Sequence, residues 1–120
     1  MSDFECIQLA NVEEVSVVKF LDEKVMDPGR IEQLGNELMT LAENDDRKHL
    51  LINFDNVKFF SSAAINKLIV LEKRMRAQGG KLRLSNLRPE VRDLFSFTNL
   101  DSLFDIRGVQ DEAIEAFGDD

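Results

Sequence analysis

Tryptophan and tyrosine are absent from this 120-residue chain, cysteine and histidine occur once each, and only two prolines interrupt it. A single cysteine, Cys6, excludes an intrachain disulfide and a thiolate metal site. A single histidine, His49, leaves no second imidazole for a zinc site. No apolar run is long enough to span a bilayer, and the start MSDFECIQLA lacks the basic, apolar and small-residue regions of a signal peptide. The reading is a soluble, cytoplasmic protein with no membrane association. A basic balance is missing too: the formal net charge is −8, which argues against a nucleic-acid partner because phosphate contacts need a basic surface. The nine Phe are the whole aromatic complement and read as core.

What is present suits one domain over residues 1–120 with one core, at 43% hydrophobic content. The stretch Leu50 to Met75 organises the rest. Leu50, Leu51 and Ile52 form an unbroken apolar run, as in a strand covered on both faces. A turn at Asp55 and Asn56 follows, then Val57, Phe59 and Phe60 lead to Ser61 and Ser62. From there the period becomes helical, with Ala64, Leu68, Leu71 and Met75 on one face and Ile65 and Ile69 beside them. The serines sit where a buried strand hands over to a helix start, a place that favours negative charge, phosphate included.

Before this stretch, Ile7 and Leu9 mark a strand, Asn11 a turn, and Val15 to Phe20 a second, β-branched strand, together a hairpin. A polar loop from Asp22 to Gly29 contains the stop signal Asp27-Pro28-Gly29. Ile31, Leu34, Leu38, Leu41 and Ala42 give a helical stripe that ends in the polar segment Glu43 to Asp46. After it, Gly79-Gly80 closes the central helix. Lys81 to Ser85 alternates, with Leu82 and Leu84 inward and Lys81, Arg83 and Ser85 outward, as in a half-exposed strand. Pro89 and Glu90 open a helix that buries Val91, Leu94 and Phe95. Leu103 to Ile106 reads as the last strand. Val109, Ala113, Ile114 and Phe117 mark an acidic C-terminal helix, with Gly118 to Asp120 a frayed end. The alternation implies an α/β domain with a mixed sheet and right-handed crossovers.

Catalytic groups are scarce. His49 reads as a strand-edge residue. Ser61 and Ser62 lack the G-x-S-x-G spacing of a hydrolase elbow, and Gly79-Gly80 precedes a strand, so it is no phosphate loop. Cys6 reads as a small buried hydrophobe. Asp22, Glu23 and Asp27 share a loop that Asp55 could approach, but the spacing matches no calcium template. Lys67, Lys73, Arg74 and Arg76 form a basic cluster on the central helix, either a solvated face with an i,i+4 Glu72–Arg76 pair or a dock for an acidic partner. The serine pair also has two readings. A serine N-cap is worth about 1 kcal/mol and accounts for one hydroxyl; a second hydroxyl beside it is placed to receive a phosphate.

The run from Leu50 to Ile106 resembles a STAS domain of the anti-sigma factor antagonist type. The resemblance rests on the order of features: a hydrophobic strand ending in Asn and an acidic turn, an aromatic pair, a serine-containing helix start, and a helix closing on Gly-Gly. A half-exposed strand, Pro89-Glu90-Val91-Arg92, and Phe97-Thr98-Asn99-Leu100 before a short strand complete it. It implies one domain with a mixed four- to five-stranded sheet and about four helices, packed mainly on one face. It implies a binding module with no enzymatic activity, cofactor or metal. The partners it implies are an anti-sigma factor or serine kinase of the ATPase type, and a serine phosphatase; the state is monomer or weak dimer. The family site reads Asp-Ser-Ser/Thr-Gly. Placed on this chain, Ser61 takes the Asp position, Ser62 that of the phosphorylated serine, Ala63 the next hydroxyl and Ala64 the glycine. Ser62, then Ser61, are the implied phosphorylation sites, and Asp22, Asp27, Ser61, Ser62, Ala63, Asn66 and Lys67 the implied partner contacts. An alternative is a constitutive scaffold whose serines only cap the helix.

Overall fold

Backbone pairing carries the alternation of the sequence into a five-stranded mixed sheet and a separate two-stranded ribbon. The computed structural model describes residues 4–43 and 48–118. In chain order the elements are β1 (Ile7–Val12), β2 (Val15–Phe20), β3 (Lys24–Val25), α1 (Pro28–Ala42), β4 (His49–Asn53), β5 (Phe59–Phe60) and α2 (Ser62–Ala77). They continue with β6 (Lys81–Ser85), α3 (Pro89–Phe97), a 3-10 turn at Leu100–Ser102, β7 (Asp105–Arg107) and α4 (Gln110–Gly118). The main sheet has the order β1-β2-β4-β6-β7. β1 is antiparallel to β2 and every other neighbouring pair is parallel. A second, two-stranded sheet pairs β3 with β5.

The strand period of two divides the core. Ile52, Leu50, Val18 and Phe20 face the stripes of α1 and α2, with Val91 and Phe95 of α3 in the same cluster. Val15, Val17 and Leu51 face the other way, against Ala113, Ile114 and Phe117 of α4. The unbroken apolar run of β4 is thus covered on both faces, and three of four helices share one face. At the end of the sheet nearest α2, Phe54 packs edge-on against Phe20 (5.0 Å between centroids), Phe60 (5.3 Å) and Phe95 (6.3 Å). Each such buried ring contributes about 1.5–3 kcal/mol, so this cluster fixes the segment leading into α2.

Several local expectations are corrected. The hairpin turn is at Glu13-Glu14, not Asn11. Both glutamates lie in the left-handed region (φ 48° and 70°), as a two-residue turn matched to strand twist requires, and Asn11 pairs with Ser16 inside the ladder. Asp27-Pro28-Gly29 starts a helix: Asp27 is the N-cap of α1, its carboxylate accepting from the Arg30 N–H at 2.9 Å, and proline suits the first position. β6 is not half exposed, because α4 covers its second face. Arg83 and Ser85 are buried, and the Arg83 guanidinium lies 4.3 Å from the Phe117 ring centre while binding Asp105 at 2.8 Å. The last strand runs from Asp105 to Arg107, and Leu103 and Phe104 belong to the bend between the 3-10 turn and the strand. Val109 is exposed, and Gly118 belongs to α4. Residues 44–46 and 119–120 of the expected polar segment and frayed end lie outside the described residues. The helix closure at Gly79 holds, with φ 76°.

Candidate functional site

The site is built by the small β3–β5 ribbon, which brings the entrances of α1 and α2 side by side. The Lys58 N–H donates to the Glu23 carbonyl at 2.8 Å, and that of Ser61 to the Val25 carbonyl at 3.0 Å. The Asn56 amide reaches the carbonyls of Phe20 and Leu21 at 3.1 and 3.3 Å. Because strand side chains alternate, Val25 and Phe60 turn into the core while Lys24 and Phe59 turn out, the Lys24 ammonium resting 5.6 Å from the Phe59 ring centre. Asp27 and Ser61, two residues and one residue beyond the ribbon, then cap the two helices.

The two serines divide the work. Ser61 is the N-cap of α2, its hydroxyl accepting from the Ala64 N–H at 3.2 Å. Ser62 is the first helical residue and is exposed, as are Ala63 and Asn66. The first-turn N–H groups of Ser62 and Ala63 have no carbonyl behind them within the helix, and no acidic residue stands in that turn. The Ser62 hydroxyl therefore faces solvent at the positive end of a 16-residue helix. Ala64 is fully buried, so its methyl packs into the helix–sheet interface.

Other residues expected to contact a partner are paired within the chain. Asp22 is held by the Arg30 fork at 3.0 and 3.1 Å, and no contact carries it to Ser62. This hydrogen bond raises the Arg30 pKa further. Lys67 bridges the helices, bonding Glu32 of α1 at 3.0 Å. Arg76 binds Glu72 at 2.9 Å and Arg74 binds Gln78, so Lys67, Arg74 and Arg76 of the basic cluster are engaged in local pairs. The loop carboxylates likewise take separate cations, Glu23 with Lys58 and Asp55 with Lys19. Among the described residues no group of three or more His, Cys, Asp or Glu is gathered as a metal site.

His49 begins β4, about 13 Å of strand from its far end at ~3.3 Å per residue, and stacks on Phe117 at 4.8 Å between centroids. It belongs to the end of the sheet away from the serines. Cys6 is buried against Arg30, and burial, then the Glu37 carboxylate, push its thiol pKa up, which disfavours the reactive thiolate.

The sequence reading missed the apolar rim. Leu21 is exposed, Met26 is 56% exposed and Phe59 52%; Met26 and Phe59 flank the ribbon that leads to Ser61 and Ser62, and Leu21 lies just past the end of β2, where the Asn56 amide binds its carbonyl. The adjacent pair Phe59-Phe60 carries the signal, since neighbouring residues of a strand face opposite sides and both are buried only where both sides are covered, as in β4. Phe97, 86% exposed on α3, also departs from the assignment of every phenylalanine to the core.

Comparison with known proteins agrees with the fold. The STAS domain family model matches residues 7–113. BtrV of Bordetella bronchiseptica, named as a candidate anti-sigma factor antagonist, is 27% identical over 93 residues, 78% of this chain and 79% of its own length. A STAS domain protein from Planctomyces limnophilus, titled an anti-sigma-factor antagonist, superposes with a TM-score of 0.83 at 22% identity, over 93% of this chain and 97% of that one. The anti-sigma factor antagonist SpoIIAA of Bacillus aligns in its unphosphorylated form with a TM-score of 0.78 at 22% identity, covering 95% and 97% of the two chains. In its phosphorylated form the TM-score is 0.69 at 22% identity, covering 92% and 98%. Among the described residues no helix is long and apolar enough to cross a membrane.

Proposed function

This chain belongs to the STAS domain family, and from that premise we propose that it is a regulatory binding module without enzymatic activity. It binds an anti-sigma factor or an ATPase-type serine kinase, and phosphorylation of Ser62 releases that partner. A serine phosphatase restores the bound state. The observation that carries the reading is the division between the serines: Ser61 alone makes the cap, leaving the exposed Ser62 hydroxyl without that structural duty. A phosphoryl group on Ser62 adds close to two negative charges beside N–H groups of the helix start, which stabilise it, and imposes that charge on whatever is docked there. The contact surface is Asp27, Ser62, Ala63 and Asn66, with Leu21, Met26 and Phe59 as its apolar part, since aromatic and Met side chains supply much of the energy of such surfaces. The protein acts in the cytoplasm as a monomer or weak dimer.

The constitutive scaffold is the second reading, favoured by Ser61 standing where the family pattern has an acid. The two are separated by incubating the purified chain and its Ser62→Ala variant with the kinase partner and ATP, then locating phosphate by peptide mass spectrometry. The switch requires phosphate at Ser62 and none on the variant. No phosphate on either chain supports the scaffold.

A further inference from the structure

Helix α4 covers only part of the sheet face on which it lies, and the β1–β2 hairpin beside it forms the other wall of an open groove. One stretch, of about 280 Å³, is lined by Gln8, Ala10, Val12, Val17, Lys19 and Gln110. The next, of about 270 Å³, is lined by Glu13, Glu14, Val15, His49, Ile114 and Glu115, with the Phe117 ring below. The two are continuous: Val12 of the first is the ladder partner of Val15 of the second, and Gln110 and Ile114 stand one turn apart on α4. The wall from Gln110 to Gly118 is about 12 Å long at 1.5 Å per residue, just over two helical turns. The floor is made of small apolar side chains, the exposed Ala10 and the half-buried Val12 above the buried Val17, and it fits the ridge of another helix.

Charge selects the occupant. α4 carries Asp111, Glu112 and Glu115 and no basic residue, and the hairpin turn adds Glu13 and Glu14. Among the described residues that line the groove the only lysine or arginine is Lys19, which sits at its far end and is paired with Asp55 at 3.3 Å. α4 and α2 lie on opposite faces of the sheet, so the groove and the Ser62 surface are separate and can be filled together. We propose that this groove seats a basic amphipathic helix of a partner protein, its apolar ridge on Ala10 and Val12 and its lysines or arginines against Glu13, Glu14 and Glu115.

The test is an NMR titration of the isotope-labelled full chain with a synthetic four-turn peptide, apolar on one face and lysine-rich on the other. A control peptide replaces each lysine by glutamate. The expected result is shifts confined to Ala10, Val12, Val17, Gln110, Ile114 and Glu115. Affinity should fall about tenfold in the Glu14→Lys/Glu115→Lys variant and stay unchanged in an Asp93→Lys/Asp101→Lys variant elsewhere on the surface. Equal binding of the acidic peptide, equal weakening by both variants, shifts centred on Ser62, or no shifts at all overturn the proposal. Concentration-dependent shifts at the same residues without peptide also overturn it, by giving the groove to a second copy of the chain.

Discussion

The backbone N–H of Ser61 donates to the carbonyl of Val25 at 3.0 Å, and this bond couples the entrances of two helices. Val25 leads through Met26 to the cap of α1, while Ser61 is itself the cap of α2. A group added at Ser62 thus lands beside the α1 entrance and the exposed side chains of Met26 and Phe59, although α1 and α2 begin 34 residues apart.

Ser61→Ala removes the acceptor for the Ala64 N–H and should lower stability by about 1 kcal/mol, whereas Ser61→Asp keeps an acceptor and should hold it. Ser62→Ala should change stability by less than about 0.5 kcal/mol. Urea denaturation of the three variants checks this, and a larger loss at Ser62 than at Ser61 would reverse the assignment of cap and acceptor.

The hairpin turn holds Glu14 at φ 70°, where a side chain costs about 1 kcal/mol that glycine does not. Glu14→Gly should raise the midpoint of thermal unfolding, the gain corresponding to about 1 kcal/mol. The same change on the exposed face of α4, Glu115→Gly, should lower it by a similar amount, because glycine weakens a helix interior.

Two carboxyls respond to pH in opposite directions. Glu72 has only 9% of its surface exposed, and burial raises its pKa against the Arg76 hydrogen bond that lowers it. A raised folded-state pKa gives a contribution present below the unfolded value and lost as pH rises through the folded one. Glu72→Gln should therefore stabilise the protein near neutrality and lose that advantage in acid. At Asp105 burial also raises the pKa, but hydrogen bonds from Arg107 and Arg83 outweigh it and leave it lowered. Its contribution is present above the ordinary carboxylate pKa and is lost as pH falls through the lowered value. Asp105→Asn should be most damaging at neutral pH, and denaturation midpoints across pH for both variants measure the two signs.

Phe117 holds α4 down, packed under the Arg83 guanidinium and against His49. Phe117→Ala should cost about 3 kcal/mol, and hydrogen exchange should rise first in α4 while the amides of α1 and α2 stay protected. Uniform loss of protection would show that the second face of the sheet does not open separately.

The main architecture was legible because β4 reads apolar on both faces and α2 changes period at the serines, two signals that long-range packing reinforces. Boundaries were less legible where one residue type serves two ends. Proline after aspartate reads as a stop, yet Asp27 and Pro28 are equally the cap and first residue of a helix. The burial of Arg83 and Ser85 could not be read from alternation alone, since it depends on α4, 25 residues further on at its nearest, folding across the sheet. The Ser61–Ser62 division was half visible: a cap was expected, but only the Ala64 hydrogen bond assigns it to Ser61. The apolar rim was hidden in composition, because Phe59 looks like core until β5 pairs with β3.

The measurement that bears most directly on the switch is the affinity of the anti-sigma partner, captured from the native cell, for three chains compared by calorimetry. These are the wild type, Ser62→Ala, and a semisynthetic chain carrying phosphoserine at position 62, each checked for folding by circular dichroism. The account predicts equal affinity for the first two and a loss of at least about tenfold for the third. Equal affinity for all three would contradict it and leave Ser62 as an ordinary first-turn residue of a constitutive scaffold.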